Sequence, residues 1–235
     1  MNIEAIVISP HIDDAIISIG HTLNQRYDKI TILNIFNLSQ EIINQTIPRS
    51  VSQYRKEEDQ IISKNYGYHF RYANLPDTSL RNIPWNNPSI PIDMGILNAS
   101  DKWVWKQLQS FNGDYDLFIP ASFNLHPDHY LSTVLFSREH YQSFLKNHNF
   151  FIYADLPYFF QKYPRSPQHN GIALLTNEIK TRINISQELK RKMLTAYSSQ
   201  ISIQRMDFLT ISHPYETIWK PNELFFIHSQ TRCYE

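Results

Sequence analysis

Glycine is scarce in this 235-residue chain: the five glycines, Gly20, Gly67, Gly95, Gly113 and Gly171, stand far apart from one another. Neither the G-x-G-x-x-G dinucleotide fingerprint nor the P-loop can be written with glycines so placed, which sets aside the usual nicotinamide, flavin and ATP sites. Cysteine is nearly absent too. The one thiol, Cys233, cannot form an internal bridge, so a disulfide scaffold is excluded. No charge of one sign prevails: 22 basic residues balance 22 acidic ones, and no net field draws the protein to nucleic acid or anionic lipid. No run approaches about 18 uncharged apolar residues, and the opening residues lack the basic and apolar regions of a signal peptide. These absences lead to the expectation of a cytoplasmic protein with no nucleic-acid partner and no stable membrane insertion.

What is present suits one sizeable core. The length predicts a single domain over 1–235, burying roughly 70–75% of its unfolded surface. Tyrosine and phenylalanine number 14 each, with four tryptophans, enough to fill a core and leave aromatic side chains near a cleft. Ala5-Ile6-Val7-Ile8-Ser9 is a continuous apolar run stopped by Pro10, as expected of a strand buried on both faces. Asp14 to Asn24 has helical spacing; Lys29 to Phe36 reads as a strand, Ser50 to Asn65 as a helix ended by Gly67, and His69 to Ala73 as a third strand. Leu75 to Ile92, with Pro76, Pro84, Pro88 and Pro91, predicts a long loop over a site. Helices over Asn98 to Phe111 and Pro127 to Phe136 flank a strand at Asp116 to Ala121, and Asn149 to Leu156 is a further strand. The alternation predicts an α/β fold: a Rossmann-like, mostly parallel sheet flanked by helices, with its core at about 1–156 and its ligand crevice at the carboxyl ends of the strands. A C-terminal strand/helix elaboration follows at about 157–235, with strands at Gly171 to Thr176 and Arg182 to Ile185 and helices at Ser186 to Ser199 and Ser202 to Leu209.

Two His/Asp clusters fall where that crevice belongs. Ser9-Pro10-His11-Ile12-Asp13-Asp14-Ala15 follows the first strand, and His126-Pro127-Asp128-His129 follows the strand ending at Ala121. An isolated Asp-Asp pair before a helix ordinarily serves as its cap, and a lone histidine ordinarily sits at the surface or in a structural hydrogen bond. Two such clusters at the same predicted sheet edge instead suit a catalytic zinc site, with three protein ligands and an open position. His11 and Asp14 can face one point, leaving Asp13 off the metal as a base. The spacing leaves the third ligand open. His21, His69, His140, His148, His169, His213 and His228 show no such pattern.

The chain resembles the zinc-dependent PIG-L/LmbE-like de-N-acetylases. Pro10-His11-Ile12-Asp13-Asp14-Ala15 is similar to that family's Pro-His-Pro-Asp-Asp-Ala pattern, and His126-Pro127-Asp128-His129 to its His-Pro-Asp-His segment. Arg55 and Glu58 look like its Arg-x-x-Glu helix, Leu75-Pro76-Asp77 like its acidic loop, and Lys192 with Tyr197-Ser198-Ser199-Gln200 like its Lys-then-Ser-Gln helix. The resemblance implies that His11, Asp14 and His129 hold Zn2+ or another divalent metal. It further implies Asp13 as general base, His126 as protonated acid and oxyanion partner with Asp128 orienting it, and Arg55 and Asp77 as substrate-binding residues. The implied reaction removes an acetyl or small acyl group from the nitrogen of an amino sugar or conjugate. The implied partner is a small N-acetylated sugar or glycoconjugate, with homo-oligomerisation left open. An amidase acting on a non-sugar N-acyl metabolite and a non-catalytic carbohydrate-binding protein of the same fold are the alternatives. Ile12 replaces the family's usual proline, and His21 stands where a second glycine is common. Both departures bear on substrate choice rather than on ligands. The aromatic stretch Tyr153 to Tyr163 is expected to shape the pocket.

Overall fold

The computed structural model describes residues 4–40, 50–84, 92–122, 126–156, 172–173, 179–212, 215–220 and 225–226. Its main element is a seven-stranded mixed sheet in the order β3-β2-β1-β4-β5-β8-β7, flanked by helices. The strands are β1 (Glu4–Ser9), β2 (Lys29–Asn34), β3 (His69–Tyr72), β4 (Tyr115–Pro120), β5 (Asn149–Tyr153), β7 (Ile179–Asn184) and β8 (Tyr215–Lys220). Strands β3, β2, β1, β4 and β5 run parallel; β8 lies antiparallel to both β5 and β7. A short antiparallel pair, β6 (Ile172–Ala173) with β9 (Phe225–Phe226), stands apart from this sheet. The fold class is the α/β class that the alternation of elements predicts.

Side-chain alternation explains why the first strand is apolar throughout. Ala5 and Val7 face one core, which takes in α1 (Asp14–Arg26), Ile62 of α2 (Val51–Tyr66), Met193 and Leu194 of α6 (Gln187–Leu194) and Met206 of α7 (Ile203–Asp207). Ile6 and Ile8 face the second, filled by α3 (Met94–Leu108), α4 (Pro127–Val134) and α5 (Glu139–Leu145). A strand covered on both faces has no polar side to show in its sequence. Helix α2 lies within one residue of its predicted limits at each end: the hydroxyl of Ser50, its N-cap, accepts from the Gln53 amide, and Gly67 takes the left-handed conformation (φ +74°) that ends the helix.

Elsewhere the boundaries shift for local reasons. Helix α3 starts at Met94 rather than Asn98 because the Asp93 carboxylate caps the Ile96 amide. The helix expected over Pro127 to Phe136 gives way to a 3-10 turn at Leu135–Ser137 and then to α5, which the apolar pattern does not announce. The helix from Ser186 stops at Leu194 instead of reaching Ser199, and α7 closes with a π-helical turn at Phe208–Ser212. Strand β7 starts three residues before the expected Arg182, and β8 lay outside the predicted elements. Of the strand expected over Gly171 to Thr176, only Ile172–Ala173 is described; His169, His213, His228, Cys233 and residues 85–91 and 157–163 of the two expected pocket stretches lie outside the described residues.

Strand β8 carries the device that ties the C-terminal segment to α1. Buried Glu216 accepts from the His21 and Thr22 amides (3.1 and 2.7 Å) and pairs with buried Lys190, whose Nζ also donates to the Ile16 carbonyl at 3.0 Å. The lysine engaged here is Lys190 and not Lys192, which is exposed and bonded to Glu188. His21 joins the same joint by accepting from the Ser186 amide at 3.0 Å. Among the described residues, no helix is long and apolar enough to cross a membrane.

Removing one partner of such an ion pair strands a buried charge, at a typical cost of about 3–5 kcal/mol. Lys190→Met is therefore expected to lower urea-unfolding stability by about 3 kcal/mol or more. A loss below about 1 kcal/mol, the scale of an exposed pair, would show that Glu216 does not depend on Lys190.

Candidate active site

The two clusters meet at the point where the sheet order reverses. From β1 the chain runs to β2 on one side, while β4 pairs on the other, so the loops after β1 and β4 diverge and leave a crevice between them. Ser9, the last residue of β1, shapes the first loop: its hydroxyl donates to the His11 carbonyl (2.6 Å) and accepts from the Ala15 amide (3.2 Å). That bond does the work of a helix cap. Asp13 occupies the N-cap position of α1 but makes no capping bond, so its carboxylate is available for other use. Ile12, at the position of the missing proline, is 1% exposed and packs into the first core.

Asp14 is the hinge of the site. Its Oδ2 accepts from the His11 amide (2.9 Å) and lies 3.1 Å from His11 Nδ1 and 3.2 Å from His129 Nε2. Each imidazole is backed by a second carboxylate: His11 Nε2 donates to Asp128 Oδ2 at 2.9 Å, and His129 Nδ1 donates to Asp155 Oδ2 at 2.8 Å. The result is one buried chain, Asp128–His11–Asp14–His129–Asp155. Burial opposes charge on the imidazoles, yet the flanking carboxylates outweigh it and push His11 up to about 10 and His129 up to about 9. Burial likewise opposes charge on Asp14, but the two imidazoles hold its carboxyl well below the usual range.

This donor set fits a divalent metal. His11, Asp14 and His129 form one buried group whose ligand atoms lie within 4.8 Å of one another, and His11, His126 and Asp128 form a second. Metal–ligand bonds of about 2.0–2.1 Å in tetrahedral array place donors about 3.4 Å apart, close to the separations seen around Asp14. A carboxylate on the far nitrogen of each ligating imidazole is the usual support for such ligands.

The other predicted residues surround this group. Arg55, buried on α2, donates through Nη2 to Asp13 Oδ1 at 2.7 Å, so it holds the expected base rather than facing the crevice with both arms. His126 is the N-cap of α4, and its Nδ1 accepts from the Asp128 amide at 3.2 Å, which places the proton of the neutral ring on Nε2. Burial and the charges of His11 and His129 push His126 well below its ordinary value, against the expected protonated form. The Asp128 carboxylate bonds to His11, not to the His126 ring that it was expected to orient. The Asp77 carboxylate accepts from the Ser79 and Leu80 amides through Oδ1 and so builds its own turn.

Glu58 and Asp59 continue the polar face of α2 beneath Arg55. Glu58 accepts from the Ser199 amide and hydroxyl, and Asp59 from Asn34, Tyr72 and Tyr197, so burial raises both carboxyls while neutral donors satisfy them. Sequence reasoning missed Asp155 and Arg81. Asp155 lies just past the C-terminal end of β5, so the rule that singled out the loops after β1 and β4 also reaches it; its inclusion in the expected strand to Leu156 concealed it.

No protein-family model and no curated protein matches this chain. Among solved structures, it is similar to the zinc-inhibited form of teicoplanin deacetylase Orf2, at 18% identity and TM-score 0.69 over 97% of this chain and 99% of that one. It is similar to the A40926 pseudoaglycone deacetylase Dbv21, at 16% identity and TM-score 0.66 over 98% and 100%. N,N'-diacetylchitobiose deacetylase from Pyrococcus horikoshii shares 16% identity and a TM-score of 0.55 over 95% of this chain and 83% of that one. At such identities the likeness is one of fold.

Proposed function

We propose that the protein is a metal-dependent hydrolase that removes an acetyl or small acyl group from the nitrogen of an amino sugar or its conjugate. The observation that carries this reading is the convergence of His11, Asp14 and His129 on one buried point at the sheet's switch point, beside an Asp13 carboxylate excused from helix capping. The fold neighbours support it, being deacetylases, one in a zinc-inhibited form and one an N,N'-diacetylchitobiose deacetylase. Zn2+ is the ion we favour, because a His/Asp/His set with an open position is its usual catalytic environment.

His11, Asp14 and His129 would hold the ion, which when bound supplies a Lewis acid for the amide carbonyl and raises the acidity of water. Asp13 takes the proton of the attacking water, and Arg55 fixes the orientation of that carboxylate. His126 donates its Nε2–H to the carbonyl oxygen as negative charge gathers there. Asp13 then passes that proton to the departing nitrogen, while neutral His126 keeps its Nε2–H. The products are a free amine and a carboxylate, and no electrons are exchanged. The reading extends to a single domain in the cytoplasm acting on a small molecule.

Three measurements test this. Elemental analysis of zinc-incubated protein is expected to find about one metal per chain, falling sharply in His129→Ala; an unchanged content in that variant would remove His129 from the ligand set. The flanking carboxylates raise both His11 and His129, so protons would compete with a metal for these nitrogens and zinc affinity is expected to weaken as pH falls. Calorimetry in buffers of different ionisation enthalpy at pH 7 should then register net proton release on zinc binding; zero net release would contradict that competition. Finally, N-acetylated sugars and glycoconjugates are screened for release of acetate and primary amine. Asp13→Asn is expected to keep its zinc and lose on the order of a hundredfold or more in turnover. Near-normal turnover in that variant would end its assignment as base. Turnover only on non-sugar amides, or sugar binding without turnover, would favour the respective alternative.

A further inference from the structure

The loop after β3 reaches into the site through a residue that no sequence motif marks. Asp128 divides its two oxygens: Oδ2 accepts from His11 Nε2 and from the Thr78 amide, each at 2.9 Å, while Oδ1 pairs with the Arg81 guanidinium. Arg81 is itself fixed on three sides. Its Nε donates to the Asp77 carbonyl at 3.3 Å, its guanidinium lies 5.5 Å from the centroid of the Phe36 ring, and its Nη2 meets Asp128. Phe36 in turn stands 6.4 Å from the His11 ring. The loop that presents Arg81 is pinned to the sheet, because the Asp77 amide donates to the Leu38 carbonyl and the Leu38 amide to that of Leu75.

The two carboxylates behind the imidazoles are therefore held differently. Among the described residues, Asp155 bonds to His129 through Oδ2, and its buried Oδ1 has no partner. Asp128 is clamped from the loop on both oxygens. The two oxygens of a carboxylate are equivalent, so what Arg81 on one and Thr78 on the other fix is the plane of the group, which cannot rotate about χ2 to an intermediate angle without losing a donor. That orientation fixes the far nitrogen of His11, and hence the direction in which Nδ1 points toward Asp14 and the metal position.

Resting on the metal-site reading above, we propose that Arg81 is a positioning residue, which holds Asp128 and through it orients His11 as a metal ligand. The loop carrying Arg81 thus belongs to the metal site rather than merely covering it.

The test is a double-mutant cycle read by zinc dissociation constants, with the visible spectrum of the cobalt-loaded protein reporting ligand geometry. Arg81→Gln and Asp128→Asn are each expected to weaken zinc about 10–100-fold and to change the cobalt spectrum. The double variant should be no weaker than Asp128→Asn alone, because Arg81 acts through Asp128. Arg81→Lys, which keeps the charge, should recover part of the loss. Arg81 and Asp128 form a buried pair, so Arg81→Gln is expected to lower apo stability as well; zinc affinity is therefore measured on protein that unfolding curves show to be folded, and the cobalt spectrum reports the ligand geometry that a loss of stability alone would not change. Zinc affinity within twofold of wild type in Arg81→Gln, or losses that add in the double variant, would overturn the proposal and leave the metal-site reading intact. Failure of the wild-type protein to bind zinc would overturn both.

Discussion

A single carboxylate oxygen, Asp14 Oδ2, shared between His11 and His129, is the constraint around which the site is organised. The two imidazoles arrive from different strands, and they meet only because β1 and β4 are direct neighbours with Val7 opposite Phe118. A shift of either strand by one residue would reverse its side chains and move the loop that carries its histidine. The two apolar cores that lock this register are thus a condition of the chemistry as well as of the fold.

Charge alternation makes such a site bearable in a buried place. Along Asp128–His11–Asp14–His129–Asp155 every imidazole lies between two carboxylates, with Arg81 at one end and the Arg55–Asp13 pair beside it. A lone buried charge is expensive, and each group here is tolerable only through its neighbours. The same economy governs the far side of α1, where Glu216 and Lys190 neutralise one another and satisfy backbone groups of the helix that begins at the site. The C-terminal segment is therefore more than an appendage. It fastens α1 through Glu216 and Lys190, and it fastens α2 through the bonds of Ser199 to Glu58 and Tyr197 to Asp59.

Ile12 and His21, the two positions that differ from the pattern the sequence resembles, have physical roles in this setting. Ile12 replaces the rigidity of a proline with burial in the first core, and the Ser9 hydroxyl pins the same turn by two hydrogen bonds. His21 occupies the place of a small residue because its ring receives the Ser186 amide at the start of α6. Each position has been absorbed into packing, away from the convergence point of His11, Asp14 and His129.

By itself the sequence determined the alternating elements, the strand buried on both faces, the extent of α2 to within a residue and the placing of the two His/Asp clusters at one sheet edge. These are local properties: apolar period, capping residues and motif spacing are all read within a few residues. Only the tertiary structure decided that Ser9 rather than Asp13 caps α1, that Asp128 serves His11 rather than His126, and that Asp155, Arg81 and Lys190 matter. It also revealed β8, whose buried Glu216 disguises a core strand. The physical reason is the same in each case. A buried charge is admissible only beside its partner, and the partners lie far away in the chain: His11 is 117 residues from Asp128, and His21 is 195 from Glu216. No periodicity carries that information, because the fold alone brings those groups within a hydrogen bond of one another.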